Sequence, residues 1–237
     1  MALLLEVTDL GVSYGRMVAA KGVSLRVPAG SFVALVGANG AGKSSILRAI
    51  SGLVPSCTGR VTFDGVVLTG RPAHEVTRLG LSHVPEGRGL LPSISVAENL
   101  RIGAYGNAAA TSADLDRVLG YFPALQSRMT QPASLLSGGE QQMLSFARAL
   151  LKAPKLLMID EMSLGLAPRL VVELFEVIRD LQRQGLTILC VEQRTKLVLS
   201  HADYVYGLKT GQVALEGAPA TLEAEGGIDR LYIAQPG

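Results

Sequence analysis

The sequence predicts an α/β fold: a parallel sheet covered by helices, an antiparallel β edge and an inserted helical lobe. Three observations carry this. Two runs, Leu156 to Ile159 and Leu186 to Val191, apolar but for Thr187, flank a helical pattern that opens at Pro168. Strands apolar at every position belong to parallel sheets buried on both faces. The N-terminal third reads instead as apolar or alternating strands, with Asp64-Gly65 as a hairpin turn signal inside Val61 to Leu68. From Ser93 to about Leu136 the pattern is helical and loop-rich, bracketed by Pro92 and Pro132.

Taken in order, Leu3 to Val7, Val23 to Val27 and Phe32 to Val36 are strands. A helix follows Gly42, with Ile46, Leu47 and Ile50 on one face, and stops at Gly52 and Pro55. The middle segment holds Ala108 to Ala110 and a break at Tyr121-Phe122-Pro123; its ends feed back into sheet-like sequence, so it reads as a lobe and not as a separate domain. Gly139 to Leu151 is a helix and Lys155 to Asp160 a buried strand. The helix from Pro168 places Leu170, Leu174, Val177, Ile178 and Leu181 on one face. Leu186 to Glu192 is a second buried strand, and Tyr204 to Leu208 with Gln212 to Leu215 a terminal hairpin through Thr210-Gly211. The expectation is one domain over residues 1–237, with a core near 1–87 and 151–237 and a helical lobe near 88–150.

Composition narrows the function classes. At 48% hydrophobic and 18% charged residues there is ample material for a core, which excludes disorder. A net charge of +2 gives no electrostatic signature for nucleic acid, so no such partner is expected. No apolar run approaches the roughly 20 residues that cross a bilayer, and Met1 to Glu6 lacks the features of a signal peptide. Cys57 and Cys190 sit in unrelated contexts, which points to a reducing cytosol.

The chemistry concentrates at three places. Gly37-Ala38-Asn39-Gly40-Ala41-Gly42-Lys43-Ser44, continued by Ser45, matches a phosphate-binding loop, and it lies between a strand and a helix as that motif requires. A chance match in a chain of this composition is about one in a hundred. Glycines let successive N–H groups turn toward phosphate oxygens, and the helix N-terminus adds a positive dipole end. Lys43 is expected on the β- and γ-phosphates and Ser44 on Mg²⁺. At the second place, Asp160-Glu161 closes an apolar strand. Carboxylates at the carboxyl end of a parallel strand face the ligand crevice, where Asp160 can hold Mg²⁺ through water and Glu161 can orient and deprotonate water. The plainer reading is an acidic helix start or a solvated loop. At the third, Ser137-Gly138-Gly139-Glu140 opens a helix. Ser137 and Glu140 form a capping box, but two glycines in a first helical turn disfavour it and imply that another body, such as a phosphate, approaches the backbone. Both readings can hold together.

These residues resemble the ATP-binding subunits of ABC transporters over essentially the whole chain. The phosphate loop, an LSGG-type signature at Leu136 to Gly139, the intervening helical lobe and the acidic strand occur in the family's order. The resemblance implies a P-loop ABC ATPase fold and ATP hydrolysis with Mg²⁺. It also implies a head-to-tail dimer in which each ATP lies between one subunit's phosphate loop and the other's Ser137, Gly138, Gly139 and Glu140. Tyr14 falls where the family stacks an aromatic ring on adenine, though by itself it is an ordinary strand-end tyrosine. Val84-Pro85-Glu86-Gly87-Arg88, Leu136 to Leu144, Ser163 to Pro168 and Val191-Glu192-Gln193 are similar to the LivF type of branched-chain amino-acid importer ATPases, with urea and short-chain amide importers as close relatives.

Departures from the general family pattern are specific. Glu86 stands at a glutamine position that contacts Mg²⁺ and water, Glu140 at the glutamine ending the signature, Ala167 at an aspartate and Gln193 at the switch histidine; Met162 replaces a proline. Gln193 can hydrogen-bond a γ-phosphate but cannot carry a proton. Glu86 is a good Mg²⁺ ligand repelled by bare phosphate. The resemblance implies membrane permease subunits, an indirect external solute-binding protein, a second and different ATPase subunit with unequal composite sites (a homodimer being possible in isolation), and a peripheral position on the cytoplasmic membrane face. The rivals are a non-transport ABC ATPase, a weakly catalytic regulatory module and a different P-loop NTPase.

Overall fold

The computed structural model describes residues 2–54, 57–105, 111–193 and 195–232. Along the chain, β1 (Leu3–Tyr14), β2 (Met17–Pro28) and β3 (Phe32–Gly37) lead into α1 (Lys43–Ile50). Then come β4 (Cys57–Phe63), β5 (Val66–Val67), α2 (Ala73–Arg78) and β6 (Leu81–Val84). The helical lobe carries α3 (Val96–Ala104), α4 (Ser112–Tyr121), two short 3₁₀ turns and α5 (Gly138–Leu150). The remainder is β7 (Leu156–Asp160), α6 (Pro168–Arg183), β8 (Thr187–Glu192), α7 (Thr195–Leu199), β9 (Tyr204–Lys209), β10 (Gln212–Gly217), α8 (Pro219–Ala224) and α9 (Gly227–Tyr232).

Among the described residues the strands form two sheets, β2-β1-β4-β5 and β10-β9-β3-β8-β7-β6. The first is antiparallel. In the second, β3 pairs in parallel with β8 and β9, and β7 pairs in parallel with β6 and β8. The apolar runs become central strands because both faces are covered. Alternate side chains enter different cores. Phe32, Ala34, Val36, Leu157, Ile159, Ile188 and Cys190 join the core with the lobe and α6, while Val33, Leu35, Leu156, Met158, Leu189 and Val191 join the core with α1 and the antiparallel sheet.

Helix α6 opens with Pro168 in its first turn, where a missing N–H costs nothing. It buries Val171, Leu174, Phe175, Ile178 and Leu181. Leu170 and Val177, expected on that face, flank it partly buried. The helix of the signature begins at Gly138, one residue earlier than expected. In the lobe, α4 ends at the Tyr121-Phe122-Pro123 break, as expected. Asn99 is fully buried and tethers the lobe's entry: its amide donates to Leu91 O at 2.9 Å and its Oδ1 accepts from Leu91 N at 3.1 Å. The terminal and Asp64-Gly65 hairpins form as expected. Pro55 and Ala108 to Ala110 lie outside the described residues.

Strand β6 was not expected. Its pattern Leu81-Ser82-His83-Val84 mixes polar and apolar residues because it is the edge of its sheet. Its presence is what carries Glu86 to the same sheet edge as the other functional loops.

Candidate functional site

Four loops meet at the carboxyl edge of the parallel sheet. The phosphate loop follows β3, Glu86 follows β6, Asp160-Glu161 closes β7 and Glu192-Gln193 closes β8. This is the position where open α/β sheets hold ligands. A cleft of about 470 Å³ lies there, lined by Met17 to Ala19, Asn39, Gly40, Gly42, Lys43, Ser44, Ser45, Glu86, Glu161, Leu164 and Gln193. That is within the size range of small-molecule sites.

The phosphate loop is held by close backbone packing. Gly42 has φ 98°, and a Cβ there would sit 2.2 Å from the Ala19 carbonyl oxygen. A carbonyl of β2 cannot yield as a side chain can, so only glycine fits. Gly37, Ala38 and Ala41 complete the strand-to-helix turn, with Ala41 N donating to Ala38 O at 3.1 Å. The Lys43 ammonium donates to Gly37 O at 3.0 Å and Ala38 O at 3.1 Å. It also lies 3.4 Å from Glu161 Oε1, with the two side chains 3% and 11% exposed.

Glu161 has φ 46°, unusual for a non-glycine residue. Its backbone N–H donates to Val191 O at 2.9 Å. The Gln193 amide donates to Glu161 Oε2 at 2.6 Å. One carboxylate thus engages Lys43 through one oxygen and Gln193 through the other.

Ser44 Oγ donates to Asp160 Oδ1 at 2.8 Å, and Asp160 Oδ2 is buried with no hydrogen-bond partner. Burial pushes the Asp160 carboxyl above the usual range, and the charges of Glu161 and Glu86 push the same way, against the Ser44 hydrogen bond. A buried, unpaired carboxylate oxygen beside a hydroxyl is the donor set of a hard cation. Among the described residues no group of three or more His, Cys, Asp or Glu could hold a metal. The Ser44–Asp160 pair presents the hard oxygen donors that Mg²⁺ takes together with phosphate and water ligands.

Ser137 to Glu140 do not line this cleft. The capping box is present: Glu140 N donates to Ser137 Oγ at 3.3 Å and Ser137 N donates to Glu140 Oε2 at 2.8 Å. Those Ser137 contacts hold the Glu140 carboxyl below its usual range, and Arg128 adds to this. The two glycines also have a reason inside the chain. A Cβ on Gly139 would lie 2.2 Å from Leu170 Cδ2, and one on Gly138 would lie 3.2 Å from Arg88 Nη2. α6 and Arg88 thus pack closely on this helix start, beside the capping box and alongside the reading in which another body approaches the backbone.

Tyr14 is not among the cleft residues. It pairs with Met17 across the β1–β2 turn and is 39% exposed, whereas Met17 and Val18 line the cleft and are 62% and 63% exposed. The sequence reading missed these two, and no pattern in an exposed strand start would have singled them out. It also assigned no role to Glu192, a buried carboxylate at the sheet edge. The signal was available: a charged residue directly following an apolar strand, as at Asp160. Met162, standing where the family has proline, is buried in the core.

A family model described as ABC transporter matches residues 20–163. The high-affinity branched-chain amino acid transport ATP-binding protein BraG of Pseudomonas aeruginosa is 39% identical, over 92% of this chain and 94% of its own. A probable branched-chain amino acid transport ATP-binding protein, LivF of Archaeoglobus fulgidus, is 36% identical over 90% and 92%. A phosphonates import ATP-binding protein, PhnC 2 of Nostoc sp., is 32% identical over 86% and 87%. Among solved structures, a nucleotide-free ATP-binding cassette from an ABC transporter superposes with a TM-score of 0.86 at 26% identity, covering 98% of this chain and 100% of that one. Among the described residues no helix is long and apolar enough to cross a membrane. With the phosphate loop, the acidic strand end and the signature helix in this arrangement, the chain belongs to the ABC transporter family as an ATP-binding, ATP-hydrolysing motor subunit.

Proposed function

We propose that this subunit drives an importer of branched-chain amino acids, with urea or short-chain amides as the alternative solutes. The observation that carries the catalytic part is the convergence of Lys43 and Gln193 on the Glu161 carboxylate, beside the Ser44–Asp160 pair. The solute class rests on the similarity to BraG and LivF.

In this reading the loop 37–45 and Lys43 hold the triphosphate of ATP, and Tyr14, beside Met17 and Val18, faces the base. Ser44, Asp160 and Glu86 hold Mg²⁺, which when bound neutralises phosphate charge. Glu161 orients water and takes its proton, and Gln193 donates a hydrogen bond toward the terminal phosphate. Phosphoryl transfer needs positioning and charge stabilisation more than covalent chemistry, which suits this residue set. Ser137, Gly138, Gly139 and Glu140 complete the site of a second ATPase subunit head to tail, with which this one forms an unequal pair. Their absence from this chain's own cleft supports that arrangement. Closure and reopening pass to permease subunits through the groove between core and lobe near Glu86 to Asn99, at the cytoplasmic face of the membrane, with a solute-binding protein outside. The lobe spans about residues 88–150.

The test is Glu161→Gln in the assembled transporter. Loss of turnover with ATP binding kept is expected; undiminished turnover removes Glu161 from its role.

A further inference from the structure

Glu192 is 1% exposed at the end of β8. A buried carboxylate is costly unless donors satisfy both oxygens. Here three do. Ser163 N donates to Oε1 at 2.9 Å, Ser163 Oγ donates to Oε2 at 2.7 Å, and Gln193 N donates to Oε2 at 3.2 Å. Ser163 belongs to the loop after β7 and Gln193 to the loop after β8, and these strands are parallel neighbours, with Asp160 opposite Val191. The carboxylate is therefore a cross-link between the carboxyl ends of two adjacent strands.

The two cross-linked loops carry the groups that face each other in the cleft. Glu161 lies two residues before Ser163, and its own N–H is pinned to Val191 O. The start of that loop is thus fastened to β8 at two points, Glu161 and Ser163. Gln193 follows Glu192 directly and has its N–H on the same carboxylate. With both loops clamped, the Gln193 amide sits 2.6 Å from Glu161 Oε2.

We infer that Glu192 is a positioning residue for ATP hydrolysis, a latch with Ser163 that sets the distance between Glu161 and Gln193. Resting on the hydrolytic reading above, it adds a residue that touches neither nucleotide nor water. It acts through the geometry of two that do, where misplacement by about 1 Å costs up to roughly a hundredfold in rate.

The experiment places Ser163→Ala, Glu192→Gln and the double variant in this subunit, with turnover read in the assembled transporter and the amide resonance in the full chain. Ser163→Ala removes only the hydroxyl and keeps the backbone bond. Glu192→Gln keeps the shape, but its NH₂ cannot accept the hydroxyl or the Gln193 N–H. Each single variant is expected to lower kcat for ATP about tenfold with KM within about twofold. The double variant should be no slower than the worse single one, because both break one network. The Gln193 side-chain amide resonance should shift in both. Unchanged kcat in the folded Ser163→Ala protein, additive losses, or an unmoved amide resonance each overturn the latch. Failure of the hydrolytic reading looks different: the unaltered assembled transporter would then show no hydrolysis that Glu161→Gln abolishes, and the amide resonance alone would decide whether the latch holds the two loops.

Discussion

Lys43 and Glu161 form a buried ion pair, Nζ to Oε1 3.4 Å, and the same ammonium also donates to the carbonyls of Gly37 and Ala38. The lysine offered to a phosphate is thus already engaged by its own loop and by the acidic strand end. A triphosphate must compete with Glu161 for it, and the carboxylate also repels the incoming charge. Glu161→Gln removes both effects. Calorimetric titration with Mg²⁺ and ATP should show affinity several-fold tighter than that of the unaltered protein. Phosphate release should fall by roughly two to four orders of magnitude, the range of a lost general base.

Asp160 is destabilising where it stands, because one carboxylate oxygen is buried and unpaired beside Glu161 and Glu86. Its folded pKa is raised, so its favourable contribution is present at low pH and is lost as pH rises through the folded value. At neutral pH without metal, Asp160→Asn should therefore raise the Tm, and the difference should shrink in acid. Mg²⁺-dependent ATP binding should weaken in the same protein. Thermal melts in chelator across pH, paired with Mg²⁺ titrations, check both halves.

His83 gives the opposite pH dependence. Its ring accepts no proton readily, since burial and then Arg48 lower its pKa to about 4. Nδ1 meets Ser51 Oγ at 3.0 Å, and Nε2 is buried without a partner. The unfolded chain takes up a proton near the ordinary value of 6.5 that the folded chain refuses until about 4. Stability is full above about pH 6.5 and falls between there and about pH 4, by roughly 3 kcal/mol at about 1.4 kcal/mol per unit. Urea unfolding at pH 7 and pH 5 should show about 2 kcal/mol of this loss, and His83→Asn should flatten it.

Gly139 separates packing from function at the signature. Gly139→Ala places a methyl 2.2 Å from Leu170 Cδ2, and overpacking of this kind costs about 1–3 kcal/mol. Leu170 is a flexible tip on α6, so Leu170→Ala in the same chain should restore the melting temperature. If the glycine also lets a nucleotide on a second subunit approach, the double variant should fold normally and still hydrolyse ATP slowly in the complex. Recovery of both together would assign Gly139 to packing alone.

Much of this was legible in residue order. A glycine-rich loop between strand and helix, a carboxylate pair closing an apolar run, and a serine with a glutamate three residues on are local patterns, and each has its meaning within about ten residues. Lys43, Ser44, Asp160 and Glu161 were therefore legible from local pattern and Gln193 through the family resemblance, and the five converge. Strand β6 was missed because an edge strand need not be apolar, and Leu81-Ser82-His83-Val84 carries little periodic signal in four residues. Only parts of β1 and β2 were read, since register shifts interrupt the alternation along their 12 residues each.

Chain order settled the classes of chemistry and the parallel character of the core, because buried strands must be apolar on both faces and phosphate loops must turn on glycine. Neighbours across the sheet were a different matter. That β8 lies between β3 and β7 brings Ser44 to Asp160, Gln193 to Glu161 and Ser163 to Glu192 over separations of 116, 32 and 29 residues. Strand order follows from how two cores pack against one sheet. Glu192 thus became a clamp, and Gly139 a seat for Leu170, through contacts no local pattern encodes.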